Sequence, residues 1–436
     1  MFRHDSGLQP RAVISAYLLD TRRGTINTSP RLGEEQAGMA AGLVRKAAGM
    51  DRQQDIAIRM QKAVQAGAIP GLVLALGDRH GSSWDAGFGS RAVGSAEPMQ
   101  PDAVFWIASM TKAITGAAAI MLVEAGKLSL DAPASALVPG IGALGVLEGF
   151  DEAGQPKMRP AKRPITLRHL LTHTSGYAYD MWSSDIARFR KATGTPAVGT
   201  CRNAALALPL LFDPGEDWSY GIGIDWAGKM IEAATGETLG AHLQRVIFEP
   251  LGMVDTSFKL RPDQRARLAA MHGRGADGAL SVIPFEVPQE PEFETGGGGL
   301  YSTARDYLAF ARMILNGGKH GKIRLLKPET VAEMARDQIA PLSVRPMISA
   351  VPTATRDADF FPGMANGWGL TFLVNRKPSP QGRSAGGLAW AGLGNTFYWI
   401  DHGRGTAGIF LSQIRPFFDP YAIALFRDFE SLVNGV

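Results

Sequence analysis

Ser109-Met110-Thr111-Lys112 is the one place in the 436-residue sequence where a serine precedes a lysine by three positions. On a helix, residues three apart share a face, so hydroxyl and amine would stand side by side. A hydroxyl at the helix start would also feel the positive end of the dipole. The residues that follow, Ile114, Ala117, Ala118, Ile120, Met121 and Leu122, are apolar around nearly the whole circumference. Such a helix is buried at the centre of a domain. Burial lowers the pKa of an ammonium group, and an amine near neutrality can take a proton from a hydroxyl. The same four residues also fit a helix cap followed by a lysine that snorkels to the surface. By themselves they do not choose between the two.

A tyrosine and a glycine-rich strand are the other candidates. Trp218-Ser219-Tyr220-Gly221-Ile222-Gly223-Ile224-Asp225 follows Pro214-Gly215 and leads into a helix, so Tyr220 sits on a loop that can aim a phenol into a cleft. The alternative is a core tyrosine with a satisfied hydroxyl. Gly386-Gly387-Leu388-Ala389-Trp390-Ala391-Gly392-Leu393-Gly394 reads as an edge strand whose small residues let a substrate approach the backbone, or as a plain strand with a bulge.

Three further patterns compete. Gly382-Arg383-Ser384-Ala385-Gly386 has the form of a G-x-S-x-G nucleophile elbow, but a Pro-rich turn precedes it and glycines follow. His402, the only later histidine, adjoins Asp401 directly, so Ser384 reads as a turn residue. His169 and His173 are four apart, but Leu170 stands where a metalloprotease carries its glutamate. A helix end whose histidines bond to nearby backbone fits better. Gly296 to Gly299 lacks the Lys-Ser/Thr and the βαβ setting of a phosphate loop and reads as a close-packed turn beside the cleft.

The elements that must hold these residues are legible in outline. Strand patterns occur near both ends of the chain, at 71–76 and 84–88, then at 367–374, 388–391, 395–401 and 406–413. Helices are expected over 51–66, closed by Gly67, and over 109–125, closed by Gly126. A third starts at a capping box, Thr303 to Asp306, and runs to Leu315; a last one spans 421–433. The stretch 127–290 is rich in helices and loops, with few strands. This order predicts an α+β fold: an antiparallel sheet built from both ends of the chain, flanked by helices, with a mostly helical insertion. The expected division is a discontinuous sheet domain of residues 51–130 plus 290–436, a mostly helical domain of residues 131–289, and an active site at their interface. Residues 1–50, rich in Arg and Gly, read as a loosely ordered extension or an early start, with Met39 and Met50 as later ones.

Composition limits the function classes. Apolar residues at 45% and charged residues at 20% are globular values, which excludes disorder over most of the chain. The 45 basic and 41 acidic residues leave a net charge of +4, and the basic ones are scattered, so neither nucleic acid nor a membrane is an expected partner. A single cysteine, Cys201, excludes an intramolecular disulfide and a zinc site built on several cysteines. No apolar run reaches the roughly 18 residues of a membrane span. The apolar run Ala12 to Leu19 is short and leads into Asp20, Arg22 and Arg23, a poor signal peptide, so a cytoplasmic protein is expected.

Taken in order, the three motifs resemble those of the serine hydrolases with the class C β-lactamase (β-lactamase/transpeptidase-like) fold, and most closely the family VIII carboxylesterases. In that group a Ser-x-x-Lys comes first, a Tyr motif follows, and a third motif lies on a late strand; here they are Ser109, Tyr220 and Trp390. Flanking phrases also match: Trp106 to Thr115, Leu170-Leu171-Thr172-His173-Thr174-Ser175-Gly176, Pro250-Leu251-Gly252-Met253 and Gly297 to Asp306, so that the resemblance covers residues 52–433. Two departures bear on substrate. Ile222 stands where the β-lactamases carry the Asn of Tyr-x-Asn, and Trp390-Ala391-Gly392 replaces their Lys-Thr-Gly. An amide and a cation suited to an anionic β-lactam are lost, which favours a neutral ester.

The resemblance implies that Ser109 is a nucleophile, that Lys112 and Tyr220 act as a coupled base, and that the backbone N–H groups of Ser109 and Leu393 form the oxyanion hole. It also places Trp390, Ala391 and Gly392 against the substrate. The expected function is a carboxylesterase acting on short-to-medium acyl esters through a Ser109 acyl-enzyme, with weak β-lactam hydrolysis. A β-lactamase or D-amino acid peptidase of the same fold is the alternative, and a non-catalytic binding protein a third reading. No metal or organic cofactor is expected. The partner is a small-molecule ester, and the oligomeric state is left open. Trp106, Tyr177, Trp182 and Trp390 are candidates to line an apolar acyl or alcohol pocket, with core packing as the alternative for each.

Overall fold

The computed structural model describes residues 51–436 except Ser82. Residues 1–50, expected to form a loose extension, lie outside the described residues. Residues 55–436 form one compact unit.

Its centre is a seven-stranded antiparallel sheet. The strands are β1 (Gly71–Asp78), β2 (Ser83–Gly89), β3 (Asn366–Trp368), β4 (Leu373–Asn375), β5 (Leu388–Gly392), β6 (Thr396–Asp401) and β7 (Thr406–Leu411), in the spatial order β3-β4-β5-β6-β7-β1-β2. The two early strands join the late ones where β1 pairs with β7, Val73 opposite Leu411 and Leu74 opposite Phe410. The expected α+β architecture with a sheet drawn from both ends of the chain is present. The stretch read as one strand over 367–374 is instead a hairpin of β3 and β4. The turn between them holds Thr371 at φ 81°, and its N–H donates to the Leu171 carbonyl at 3.1 Å. A tertiary contact bends the chain where its β-branched residues favour extension. The stretch 127–290 also carries two short strand pairs, Val146–Phe150 with Pro156–Arg159 and His272–Arg274 with Leu280–Val282.

Helices cover both faces of the sheet. The longer ones are α1 (Thr111–Glu124), α2 (Gly223–Thr235), α3 (Ala304–Leu315) and α4 (Pro420–Asn434). Successive residues of β6 point to opposite faces. Phe397 stacks on Phe426 of α4 at 4.8 Å and Trp399 meets Phe429 at 4.9 Å, while Tyr398 turns the other way to Tyr307 of α3 at 5.1 Å. A strand covered on both sides has no polar face, which is why Thr396–Asp401 lacks polar alternation. Thr303 caps α3 by accepting the Asp306 N–H at 3.2 Å. The Asp306 carboxylate does not complete a capping box; it accepts from the Asp255 N–H at 2.7 Å and the Thr256 hydroxyl at 3.0 Å.

The segment around Ser384 is a turn. The Ser384 N–H donates to Asp401, and Arg383 forks onto Glu430 of α4 at 2.6 and 2.9 Å with both side chains buried. Among the described residues no helix is long and apolar enough to cross a membrane.

Gly408 on β7 lies directly opposite Trp399, and a Cβ there would fall 2.0 Å from the indole ring. The ring is fully buried against α4 and has nowhere to move. Gly408→Ala is therefore expected to destabilise the fold by about 1–3 kcal/mol, read as a lower urea midpoint with an unchanged m value.

Candidate active site

The chain enters the site through a short strand, Phe105–Trp106, paired with Tyr301–Ser302. It then turns sharply. Ala108 takes φ 45°, residues Ala108–Met110 form a single 3-10 turn, and α1 begins only at Thr111. Ser109 thus precedes the helix that was expected to contain it, and Lys112 sits in its first turn. The turn is clamped from outside: the Tyr307 hydroxyl of α3 donates to the Met110 carbonyl at 2.9 Å, and the Ile107 N–H donates to Leu300 at 3.0 Å. Strand β5 presses against it, since a Cβ on Gly392 would lie 2.3 Å from the Ile107 carbonyl oxygen. That contact brings Ala391, Gly392 and Leu393 beside Ser109 at one cavity wall.

Tyr220 arrives on a loop pinned to the segment 173–179. The Ser219 N–H donates to the His173 carbonyl at 2.9 Å and the Tyr179 N–H to the Tyr220 carbonyl at 3.2 Å. Gly221 is needed for that approach, because a Cβ there would meet the Tyr177 carbonyl oxygen at 2.3 Å. The three candidate side chains converge. Lys112 Nζ lies 3.1 Å from Ser109 Oγ and 4.8 Å from the centre of the Tyr220 ring, and Ser109 is near enough to the Tyr220 phenol to offset part of the effect of its burial. Trp390 Nε1 donates to the Tyr220 hydroxyl at 3.0 Å, so the indole is a partner of the phenol as well as part of the cavity wall.

Two residues with no role assigned from sequence complete the cluster. Lys112 Nζ donates to the Tyr179 hydroxyl at 3.0 Å and to the Gly297 carbonyl at 2.6 Å. The Tyr179 hydroxyl donates in turn to Asp225 Oδ2 at 3.3 Å, and the Gly297 N–H donates to Asp225 Oδ1 at 2.9 Å. Asp225 is buried on α2 among apolar residues. An acid on the apolar face of a helix is a signal that sequence alone displays; nothing comparable marks Tyr179. The glycine run 296–299 is the turn beside the cleft that its composition suggests, with Gly297 and Gly298 lining the cavity.

Burial sets the electrostatics. It lowers Lys112 from 10.5 to about 7, against the opposing pull of Asp225. It raises the Tyr220 and Tyr179 phenols and the Asp225 carboxyl above their ordinary values. It holds His173 well below the usual histidine range, with Lys112 adding to the effect. His173 Nδ1 accepts the Gly221 N–H at 3.4 Å and His169 Nδ1 accepts the Thr166 N–H at 3.2 Å, the backbone roles expected for both rings.

The cavity above Ser109 has a volume of about 280 Å³ and mostly apolar walls. Trp106, Trp182 and Trp390 line it. Tyr177 does not: it stacks near Trp226 and its hydroxyl accepts the Gly142 N–H at 2.8 Å, so it belongs to the core. Ser384 is not among the lining residues, and His402 bonds to the Ile314 carbonyl.

A family model described as beta-lactamase matches residues 56–430. The chain is 34% identical over 392 residues to the monacolin J acid methylbutanoyltransferase of Aspergillus terreus, covering 86% of this chain and 93% of that protein. It is 35% identical over 367 residues to the lovastatin esterase of Penicillium rubens, covering 80% and 90%. A mutant simvastatin synthase from Aspergillus terreus has a TM-score of 0.80 at 32% identity, over 88% of this chain and 97% of that one. EstCE1, a hydrolase with promiscuous acyltransferase activity, shares the fold at a TM-score of 0.69 and 21% identity, over 89% and 100%.

The lysine shift has a consequence for stability. Unfolded, Lys112 holds its proton up to about 10.5; folded, it releases it near 7. Between these values the unfolded chain binds more protons, so stability rises with pH across the window and the burial penalty is complete below about 7. Lys112→Met removes the penalty. Its urea midpoint relative to the unmodified protein is expected to be higher at pH 6 than at pH 9.

Proposed function

The chain belongs to the beta-lactamase family, and from that membership we propose that it is a serine esterase, cleaving small carboxylic esters through an acyl-enzyme on Ser109. One observation carries the reading: the Ser109 hydroxyl, the Lys112 amine and the Tyr220 phenol meet at the wall of an apolar cavity. A neutral amine offers two N–H donors and one lone pair. The Gly297 carbonyl can only accept, and the Tyr179 hydroxyl, committed as donor to Asp225, accepts as well. The lone pair is left for the Ser109 proton.

The chemistry follows. Ser109 Oγ attacks the ester carbonyl while its proton passes to the Lys112–Tyr220 pair, which titrates as a unit. The phenol returns the proton to the departing alcohol, and the N–H of Trp390 steadies the phenol oxygen during the transfer. The backbone N–H groups of Ser109 and Leu393 face the developing oxyanion, a contribution typically worth about 10²–10³ in rate per donor. Water then attacks the acyl-enzyme by the same route in reverse. Trp390, Ala391 and Gly392 hold the substrate. The site lies between a sheet domain of residues 51–130 plus 290–436, which supplies Ser109, Lys112 and Trp390, and a helical domain of residues 131–289, which supplies Tyr179 and Tyr220. The reaction asks for no cofactor.

Against a β-lactamase or peptidase stand the buried Ile222 in place of the motif's amide and, on β5, an indole in place of the motif's cation. Against a binding protein stands the lysine, whose burial serves no binding purpose. A second reading concerns the acceptor. The similarity to a methylbutanoyltransferase supports an alcohol in place of water, by the same acyl-enzyme.

Ser109→Ala is expected to abolish both fluorophosphonate labelling and p-nitrophenyl butyrate turnover, with Tyr220→Phe reducing turnover by about 10²–10⁴. Loss of activity in Ser384→Ala with Ser109→Ala still active would sink the assignment. Because the base works as a free amine, kcat/KM should climb with pH through about 7. Adding a primary alcohol to the assay, with ester product measured against free acid, separates the two acceptors.

A further inference from the structure

Among the described residues lining the cavity, Arg415 is the one Lys or Arg. The acids there are matched. Asp180 pairs with Arg190, Glu286 takes the fork of Arg265, with Arg265 Nη2 at 3.0 Å, and Asp225 is held by Tyr179 and Gly297. Among the described residues the Arg415 guanidinium makes no hydrogen bond and no ion pair, and its buried Nε has no acceptor. It lies over two aromatic rings of the cavity wall, 4.5 Å from the centre of Phe285 and 5.5 Å from that of Trp106. A guanidinium over aromatic rings gives its N–H groups no acceptor there, so they stay available to another partner. Burial, with no counter-charge nearby, pushes the group below its ordinary value.

The backbone at Arg415 is fixed by the turn that carries Leu393. The Ile414 N–H donates to Gly394 at 3.0 Å, and Asn395 Nδ2 donates to the carbonyls of Ile414 and Pro416 at 2.9 and 3.1 Å. The cation therefore holds a set position relative to the strand end beside Ser109.

We propose that Arg415 binds a carboxylate on the substrate, so that the preferred substrate is an ester that also carries one free acid group. This rests on the ester-cleaving reading above and names its substrate class. A carboxylate matches the guanidinium fork with two N–H donors and cancels its single charge. A dianionic phosphate would leave a net negative charge among apolar walls. The anion is thus recognised from Arg415, away from Trp390, where the β-lactamases place their cation.

Two ester pairs test this, each differing in one charge: mono-4-nitrophenyl glutarate against its methyl ester, with the acid on the acyl side, and 4-butyryloxybenzoate against its methyl ester, with the acid on the alcohol side. The anion is expected to be favoured by about tenfold or more in kcat/KM in one pair, mostly through KM. Arg415→Gln should bring that ratio to about one, and Arg415→Lys should retain part of it. Calorimetry on Ser109→Ala, with and without Arg415→Gln, reads the same preference as binding. It decides the role of Arg415 even if Ser109 is never acylated, in which case only the esterase reading falls. A preference for the neutral ester in both pairs, a preference that survives in Arg415→Gln, or tighter binding of 4-butyryloxyphenyl phosphate than of 4-butyryloxybenzoate would overturn the proposal.

Discussion

A lysine amine sealed from water is the constraint around which this molecule is arranged. Lys112 is fully buried, and removing its hydration costs enough to bring its titration near neutrality. An amine in that position must have its hydrogen-bonding capacity met by protein atoms, or the fold would bear the cost of an unsatisfied polar group. Three oxygens meet it: the Ser109 hydroxyl, the Tyr179 hydroxyl and the Gly297 carbonyl. Each comes from a different stretch of chain. The cluster is therefore assembled only when α1, the 173–179 segment and the 296–299 turn are packed together, and its geometry reports the integrity of the whole unit.

Close approach of backbones makes that assembly possible. Gly221 lets the tyrosine loop lie on the Tyr177 carbonyl, Gly297 lets the turn reach Asp225, and Gly392 lets β5 touch the segment that leads into Ser109. In each case a side chain would overlap atoms that have no room to retreat. The aromatic residues then fill what the glycines leave. Trp390 crosses the Trp368 ring at 4.6 Å and lies 4.9 Å from Tyr220, so the phenol is held by rings as well as by the indole N–H. Charge is sparse in this setting: beside the paired acids, the described wall of the cavity carries one guanidinium, and one amine lies next to the Ser109 hydroxyl.

Much of this was legible without coordinates. The Ser-x-x-Lys spacing, the all-round apolarity of the helix after it and the order of the Tyr and Trp motifs identified the three groups that converge. Strand patterns at both ends of the chain anticipated the sheet. Short-range signals misled where long-range contacts overrode them. Thr371 is a β-branched residue forced into a left-handed turn by its bond to Leu171, which split one expected strand into two. Ser109 was placed inside a helix that in fact begins two residues later, because Ala108 adopts a conformation that its side chain disfavours and the clamps around it impose. Tyr177 and Tyr179, two residues apart in one sequence phrase, have unrelated roles, one in the core and one on the amine.

The amino-acid order alone determined which chemistry is available: a lone serine three before a lysine, no metal-binding cysteine cluster, and a late strand with an indole in place of a cation. Those are properties of residue type and local spacing, and they survive in any conformation. Tertiary structure alone decided the partners of the amine, the bond between Trp390 and Tyr220, and the place of Arg415 over two rings without an acid beside it. Each depends on distances between segments tens to hundreds of residues apart. Residue type cannot reveal whether a polar group in a folded chain is satisfied, because that depends on which neighbours packing brings to it.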